Sequence, residues 1–368
     1  MGVQSNGATR LALAALAILL VAAPARGDDW PQFRGPNCAG VAASAHPLPT
    51  TFSATHNVRW SAKLGDGIGS PVVAAGRVFV AAVTGEQTVS VLAFAAATGQ
   101  PLWRRDFATG PLAEIHKTNS HASTTPAADA ERVYCYFSTL GLMALDAATG
   151  RDVWRYAMPT PFFVFKWGPG MSPVLCGDLV VMCQDDDLFP AIHAVEKATG
   201  RLRWRDDRLD MAVNYSHPVV CRAGGREDLV VAGTGLLVGY DPATGRRRWH
   251  ARVLLRNTKT TPVVVDDVIY VSAQSGGIAN QWIVSVDRAP TGNQDNKLDR
   301  AEIQAFVGAQ QVPAAFFERT FGRGDVNRDG FLEGRELDLA FLHPDNFAGA
   351  DYTARGENAA EQMIVAVR

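Results

Sequence analysis

Five oxygen-bearing side chains, Asp325, Asn327, Asp329, Glu333 and Glu336, fall at positions 1, 3, 5, 9 and 12 of one twelve-residue stretch. That spacing is the EF-hand calcium loop, in which a tightly wound segment offers a hard cation six to eight oxygens at about 2.3 to 2.6 Å. Gly330, at position 6, permits the sharp turn, and Phe331, at position 7, is placed to offer its backbone carbonyl. Leu332 should enter a small sheet between paired loops, and Glu336 should close the shell with both carboxylate oxygens while starting the exiting helix.

A second loop with the same register runs from Thr291 to Glu302, with Asn293, Asp295, Asp299 and Glu302 at positions 3, 5, 9 and 12 and Lys297 at position 7. It departs twice from the pattern: Thr291 stands where Asp is usual, and Asn296 stands where Gly is usual, although Asn tolerates the left-handed conformation better than most residues. Calcium binding here and retention of the loop as structure alone are both open. The terminal glutamates are 34 residues apart, and Ile303, Phe306, Val307, Phe316, Phe317 and Phe321 between them suit two packed helices. A pair of loops over 287–345 is the expectation. Exported modules of this kind bind calcium at about 10⁻⁴ to 10⁻³ M, which fits a constitutive structural ion better than a sensor.

The elements that must carry this pair are repeats. Ala-Thr-Gly, then three residues, then Trp occurs with Trp103, Trp154, Trp204 and Trp249, the tryptophans being 51, 50 and 45 residues apart. A second marker, a small polar residue or His before Pro, recurs at Ser70, Thr125, Ser172, His217 and Thr261. Between the markers lie runs of strand composition, Arg77 to Val80, Arg132 to Phe137, Leu179 to Met182, Leu229 to Val231 and Val268 to Val271. Units of this length, with about four short strands each, read as β-propeller blades. The repeated Trp is expected to fill the gap between adjacent blades, since four equivalent rings cannot all stack on one planar cofactor. The strand pattern is expected to break after Val284-Ser285-Val286 and to resume in the last residues, within 346–368.

In marker residues and repeat length, residues 56 to 275 and 361 to 368 resemble the pyrroloquinoline-quinone-like (PQQ-like, quinoprotein-like) propeller family, which includes the outer-membrane assembly protein BamB. The stretch Trp30-Pro31-Gln32-Phe33-Arg34-Gly35-Pro36 is similar to the opening of exported members. The resemblance implies an all-β propeller, here incomplete at about 4.5 blades where the family typically closes a ring of about seven or eight, with the α-helical EF-hand pair inserted. It implies binding of unidentified protein partners rather than catalysis. It also raises a quinone-dependent dehydrogenase, of which this chain would be a fragment. Such enzymes typically carry an adjacent Cys-Cys pair and sometimes a c-type haem motif, and this sequence has neither.

Arg10, the apolar run Leu11 to Ala23 and the small-residue site ending at Gly27 read as a cleaved signal peptide over 1–27, which places propeller blades over 28–286 and the protein in the periplasm or outside the cell. No further stretch approaches the roughly 20 apolar residues of a membrane-spanning helix. From Asp28 onward 33 basic residues face 37 acidic ones, a net charge of −4, which disfavours nucleic acid as a partner. The five cysteines are too dispersed for a zinc site and read as buried small hydrophobes, with a Cys176–Cys183 disulfide the alternative. His116 and His121 match no metal spacing and read as polar residues at a blade mouth, and Asp185-Asp186-Asp187 reads as a charged hairpin tip.

Overall fold

Runs of β-branched and aromatic residues separated by Gly-bearing turns favour pairing between chain neighbours, and that is how the strands are joined. The computed structural model describes residues 29–43, 49–211, 213–233, 236–251, 259–274, 282–342 and 362–367; the signal peptide expected over 1–27 lies outside them. Four strands, β1 (Val72–Ala74), β2 (Arg77–Gly85), β3 (Thr88–Ala95) and β4 (Pro101–Ala108), form the first antiparallel meander. The second holds β5 (Ala127–Ala128), β6 (Arg132–Phe137), β7 (Gly141–Asp146) and β8 (Asp152–Tyr156). The third holds β9 (Val174–Cys176), β10 (Leu179–Gln184), β11 (Ala191–Glu196) and β12 (Leu202–Asp207). The fourth holds β13 (Val219–Ala223), β14 (Arg226–Ala232), β15 (Leu237–Tyr240) and β16 (Arg247–Ala251). A fifth sheet joins β17 (Val263–Val265) and β18 (Val268–Gln274) to β19 (Gln362–Val367), with Ile269 opposite Val367 and Gln274 opposite Gln362. Successive meanders of this kind are propeller blades.

Both sequence markers tie each sheet to the next. A Cβ added at Gly150 would lie 2.7 Å from the Trp103 ring, at Gly200 2.5 Å from Trp154, and at Gly245 2.5 Å from Trp204, so the outer-strand Trp of each sheet lies flat on the Thr-Gly turn of the following one. The indole nitrogen then donates to a carbonyl at that turn, Trp103 to Ala147 at 3.1 Å, Trp154 to Lys197 at 2.8 Å and Trp204 to Pro242 at 2.7 Å. Inter-blade packing is therefore the role of the repeated ring. A fifth tryptophan outside the repeat pattern, Trp60, makes the same contact with Gly99 and with the Ala96 carbonyl at 2.9 Å. Trp249 differs, donating at 2.8 Å to Asp228 of its own sheet.

The residues before proline form a relay. The Ser70 amide donates to Thr125 Oγ1 (3.0 Å), the Thr125 amide to Ser172 Oγ (3.0 Å), the Ser172 amide to His217 Nε2 (3.1 Å) and the His217 amide to Thr261 Oγ1 (3.4 Å). Each of the first four sheets thus donates one hydrogen bond to its successor. The N-terminal segment crosses the same edge. Trp30 bridges Val73, the Pro31 carbonyl accepts from Ala128, Gln32 Oε1 from Leu175, and the Asn37 amide group pairs with both backbone groups of Val220. One segment therefore touches the first strand of four sheets, and Phe33 stacks on His217 at 4.1 Å between ring centroids.

Between β18 and β19 the chain turns helical. Residues Ile283–Asp287 form a helical turn where the strand pattern was expected to continue through Val286. The reason is burial at three-residue spacing: Ile283 and Val286 share one side and enter a core with Trp282. The helices α1 (Arg300–Val307) and α2 (Ala314–Gly324), with turns at Arg335–Leu337 and Asp338–Leu342, enclose that core. Trp282 stacks on Phe341 at 5.1 Å and lies 5.5 Å from Phe316. Val164 and Leu188, from loops of the propeller, complete the cluster, and Phe162 meets Phe306 edge-on at 6.3 Å.

Asp185, Asp186 and Asp187 are not an exposed hairpin tip; they are 0%, 0% and 4% exposed. Arg208, itself wholly buried, grips Asp185 with Nε at 2.8 Å and Nη2 at 2.9 Å, while Asp186 accepts from the amides of Leu188 (2.7 Å) and Phe189 (2.5 Å). The triplet therefore shapes the loop that carries Leu188 to the helical core. All five cysteines are buried and unbonded to one another, as isolated small hydrophobes. His116 is half-buried and packs on Trp167 at 4.3 Å between centroids; burial lowers the His121 pKa. No helix of the described residues is long and apolar enough to cross a membrane.

Candidate metal centre

The two twelve-residue stretches face each other across a two-residue ladder. Leu298 and Leu332, each at position 8 of its loop, exchange both backbone hydrogen bonds, at 3.1 and 2.9 Å, and both side chains are fully buried. This is why an apolar residue stands at that position in two otherwise polar segments: it pins the loops together and leaves the ligand positions on their outer turns.

The downstream loop is wound around its own carboxylates. Asp325 takes the amides of Asp329 and Gly330, each at 3.0 Å, one on each oxygen. Glu336 Oε1 takes the amides of Val326 (3.0 Å) and Asn327 (3.3 Å), and its Oε2 takes that of Glu333 at 3.4 Å. Asn327 Oδ1 accepts from Asp329, and Asp329 Oδ1 from Phe331. The turn needs positive φ at Arg328 (63°) and at Gly330 (89°), and Gly supplies the second without strain.

The upstream loop repeats the winding. Glu302 takes the amide of Asn293 at 3.1 Å on Oε1 and that of Asp299 at 3.2 Å on Oε2, and the Asp299 side chain caps α1 in return. Asn293 Oδ1 accepts from Asp295 and Asp295 Oδ1 from Lys297. Gln294 (62°) and Asn296 (61°) hold the positive φ values, so Asn296 does stand in for Gly. Thr291 is exposed. The Lys297 ammonium crosses to the other loop, 3.1 Å from Glu333 and 5.7 Å from the Phe331 ring centroid, and the hydrogen bond to Glu333 raises its pKa.

Among the described residues, no group of three His, Cys, Asp or Glu side chains is gathered as ligands around one point. In both loops the carboxylates instead hold backbone amides. The donor set still suits a hard cation: it consists of oxygens, at the calcium spacing, on loops whose backbone already takes the required turns. Asp325, Asn327, Asp329, the Phe331 carbonyl, Glu333 and Glu336 would hold the ion downstream; Asn293, Asp295, the Lys297 carbonyl, Asp299 and Glu302 would do so upstream.

The propeller that carries these loops matches a known family. The family described as outer membrane protein assembly factor BamB, a PQQ-like repeat family, matches residues 50–163 and 87–317. The chain belongs to this family. No curated protein matches it. Solved structures that it resembles include BamB from Moraxella catarrhalis, at 20% identity and a TM-score of 0.37, over 55% of this chain and 53% of that one. A europium-containing methanol dehydrogenase is 13% identical with a TM-score of 0.38, over 58% and 62% of the two chains. Quinohemoprotein alcohol dehydrogenase from Comamonas testosteroni is 16% identical with a TM-score of 0.39, over 67% and 43%. The chain thus spans about half the length of these proteins, which include one assembly factor and two dehydrogenases.

Proposed function

We propose that this chain is an exported, non-catalytic propeller scaffold whose EF-hand pair binds calcium as a structural ion. The reading rests chiefly on the reciprocal Leu298–Leu332 bridge, which pairs position 8 of one loop with position 8 of the other. Two unrelated acidic loops would have no reason to meet in that register. The membership in a family described as an assembly factor supports a protein partner, and the leader-like first 27 residues support export. The ion would hold two loops whose helices share a core with Val164 and Leu188, so that calcium braces the helical segment against the propeller.

A calorimetric calcium titration of the chain beside Glu336→Gln and Glu302→Gln tests it. Binding in the millimolar range or tighter, from which Glu336→Gln removes the downstream ion and Glu302→Gln the upstream one, is the expected result. The absence of heat and of thermal stabilisation at millimolar calcium in the unaltered chain would refute the calcium reading and leave the scaffold alone.

A further inference from the structure

We infer that Asp287, not Thr291, supplies the first ligand of the upstream loop, which makes that loop a sixteen-residue variant with a full set of acidic and amide oxygens. This rests on the calcium reading above and sharpens it.

The argument is a residue-by-residue match between the loops. Downstream, position 1 is Asp325, whose two oxygens take the amides of positions 5 and 6 at 3.0 and 3.0 Å. Upstream, the amides of positions 5 and 6 are those of Asp295 and Asn296, and they donate at 3.0 and 3.3 Å to the two oxygens of Asp287. Positions 3, 9 and 12 correspond as well. The glutamate at position 12 takes the amides of positions 3 and 9 in both loops, and positive φ falls at positions 4 and 6 in both. Only position 1 fails to follow the twelve-residue count, and there the residue that occupies the equivalent place is a carboxylate four residues earlier.

The extra residues are folded out of the way. After Asp287 the chain makes two tight turns, with the Ala289 amide on the Val286 carbonyl (3.1 Å) and the Gly292 amide on the Ala289 carbonyl (2.9 Å). It returns so closely that a Cβ on Gly292 would lie 2.0 Å from the Asp287 carbonyl oxygen. Glycine is needed at 292 for that return, and it brings Asn293 back into register at position 3. Thr291 rides exposed on the excursion, whereas the Asp287 side chain is fully buried between the turn and the loop. A carboxylate at position 1 is a far stronger calcium ligand than a hydroxyl, so the reassignment turns the weaker of the two loops into a competent one.

The experiment uses the whole chain in a Glu336→Gln background, which leaves the upstream loop as the site under measurement, with calcium itself as the probe. Asp287→Asn should weaken calcium about tenfold or more, and Thr291→Val should change the dissociation constant less than about twofold. Far-ultraviolet circular dichroism in chelator checks that each variant is folded. Should Asp287→Asn not fold, Asp287→Glu, which keeps the charge and lengthens the reach, should weaken binding in a folded chain. Loss of binding in Thr291→Val with Asp287→Asn unaffected would overturn the assignment. So would a Glu336→Gln chain that binds no calcium while the unaltered chain binds one ion. No binding in the unaltered chain is a different outcome, which removes the calcium reading itself.

Discussion

Arg208 and Asp185 are both wholly buried, and their contact is the fork of a guanidinium on a carboxylate, with Tyr240 and Asn214 using the remaining donors and acceptors. Removing one partner strands the other charge, so Arg208→Ala should cost about 3 to 5 kcal/mol in urea unfolding, whereas an apolar double replacement should cost much less. Its neighbour Asp186 behaves differently. Burial raises its pKa to about 8, so its folded form holds a proton that the unfolded chain has lost well below neutral pH. Stability from this group is complete below the unfolded pKa and falls as pH rises through the folded one. Burial pulls His193 to about 4 and His217 to about 3, and their effect has the opposite sign and is confined below the unfolded imidazole range. From about pH 6.5 to 8 the carboxyl therefore stands alone among these three, and stability should drop by about 2 kcal/mol. Asp186→Asn should flatten that drop in urea titrations at the two pH values, even though it loses the hydrogen bond from Gln184. An unchanged slope would show that another group titrates. None of this was visible in the sequence, where three consecutive aspartates read as solvated because the arginine that pairs with the first of them lies 23 residues away.

At the scale of the strand and turn, a Thr-Gly turn and the β9–β10 turn separate two demands on glycine. Gly200 has φ 69° and a neighbouring ring that a methyl group would strike at 2.5 Å; Gly177 has φ 58° and nothing within 4 Å. Gly177→Ala should therefore cost about 1 kcal/mol for backbone strain alone, and Gly200→Ala clearly more, since Trp154 must also move. Equal losses in thermal unfolding would mean that the ring adjusts freely. The blade architecture was legible because both repeat markers are local. Their purpose was half legible: the tryptophan contact could be expected, whereas the amide relay through Ser70, Thr125, Ser172, His217 and Thr261 emerges only when five sheets stand side by side. Trp60 was missed because no Ala-Thr-Gly precedes it. The strand pattern was expected to run through Val286, where a helical turn forms instead, because a short apolar run fits either period.

For the molecule as a whole, the segment from Trp30 to Asn37 joins sheets that are otherwise linked only pairwise. Asn37→Ala removes both hydrogen bonds to Val220 and should cost about 1 to 2 kcal/mol. Because the segment spans four sheets, that loss should lower the midpoint of a single unfolding transition; a separate early transition of the fourth sheet would show that the sheets unfold independently. The geometry also sets an order of events. The residue that Asn37 grips lies 183 positions further along the chain, so this segment has no complete docking surface until the fourth sheet exists. In refolding followed by pulsed hydrogen exchange, the Val220 amide should gain protection after those of the β6–β7 ladder, since long-range closure comes late. What secures four sheets at once is thus the final stitch, and a nascent chain carries its own N-terminal strap unfastened until the pieces that it fastens have been made.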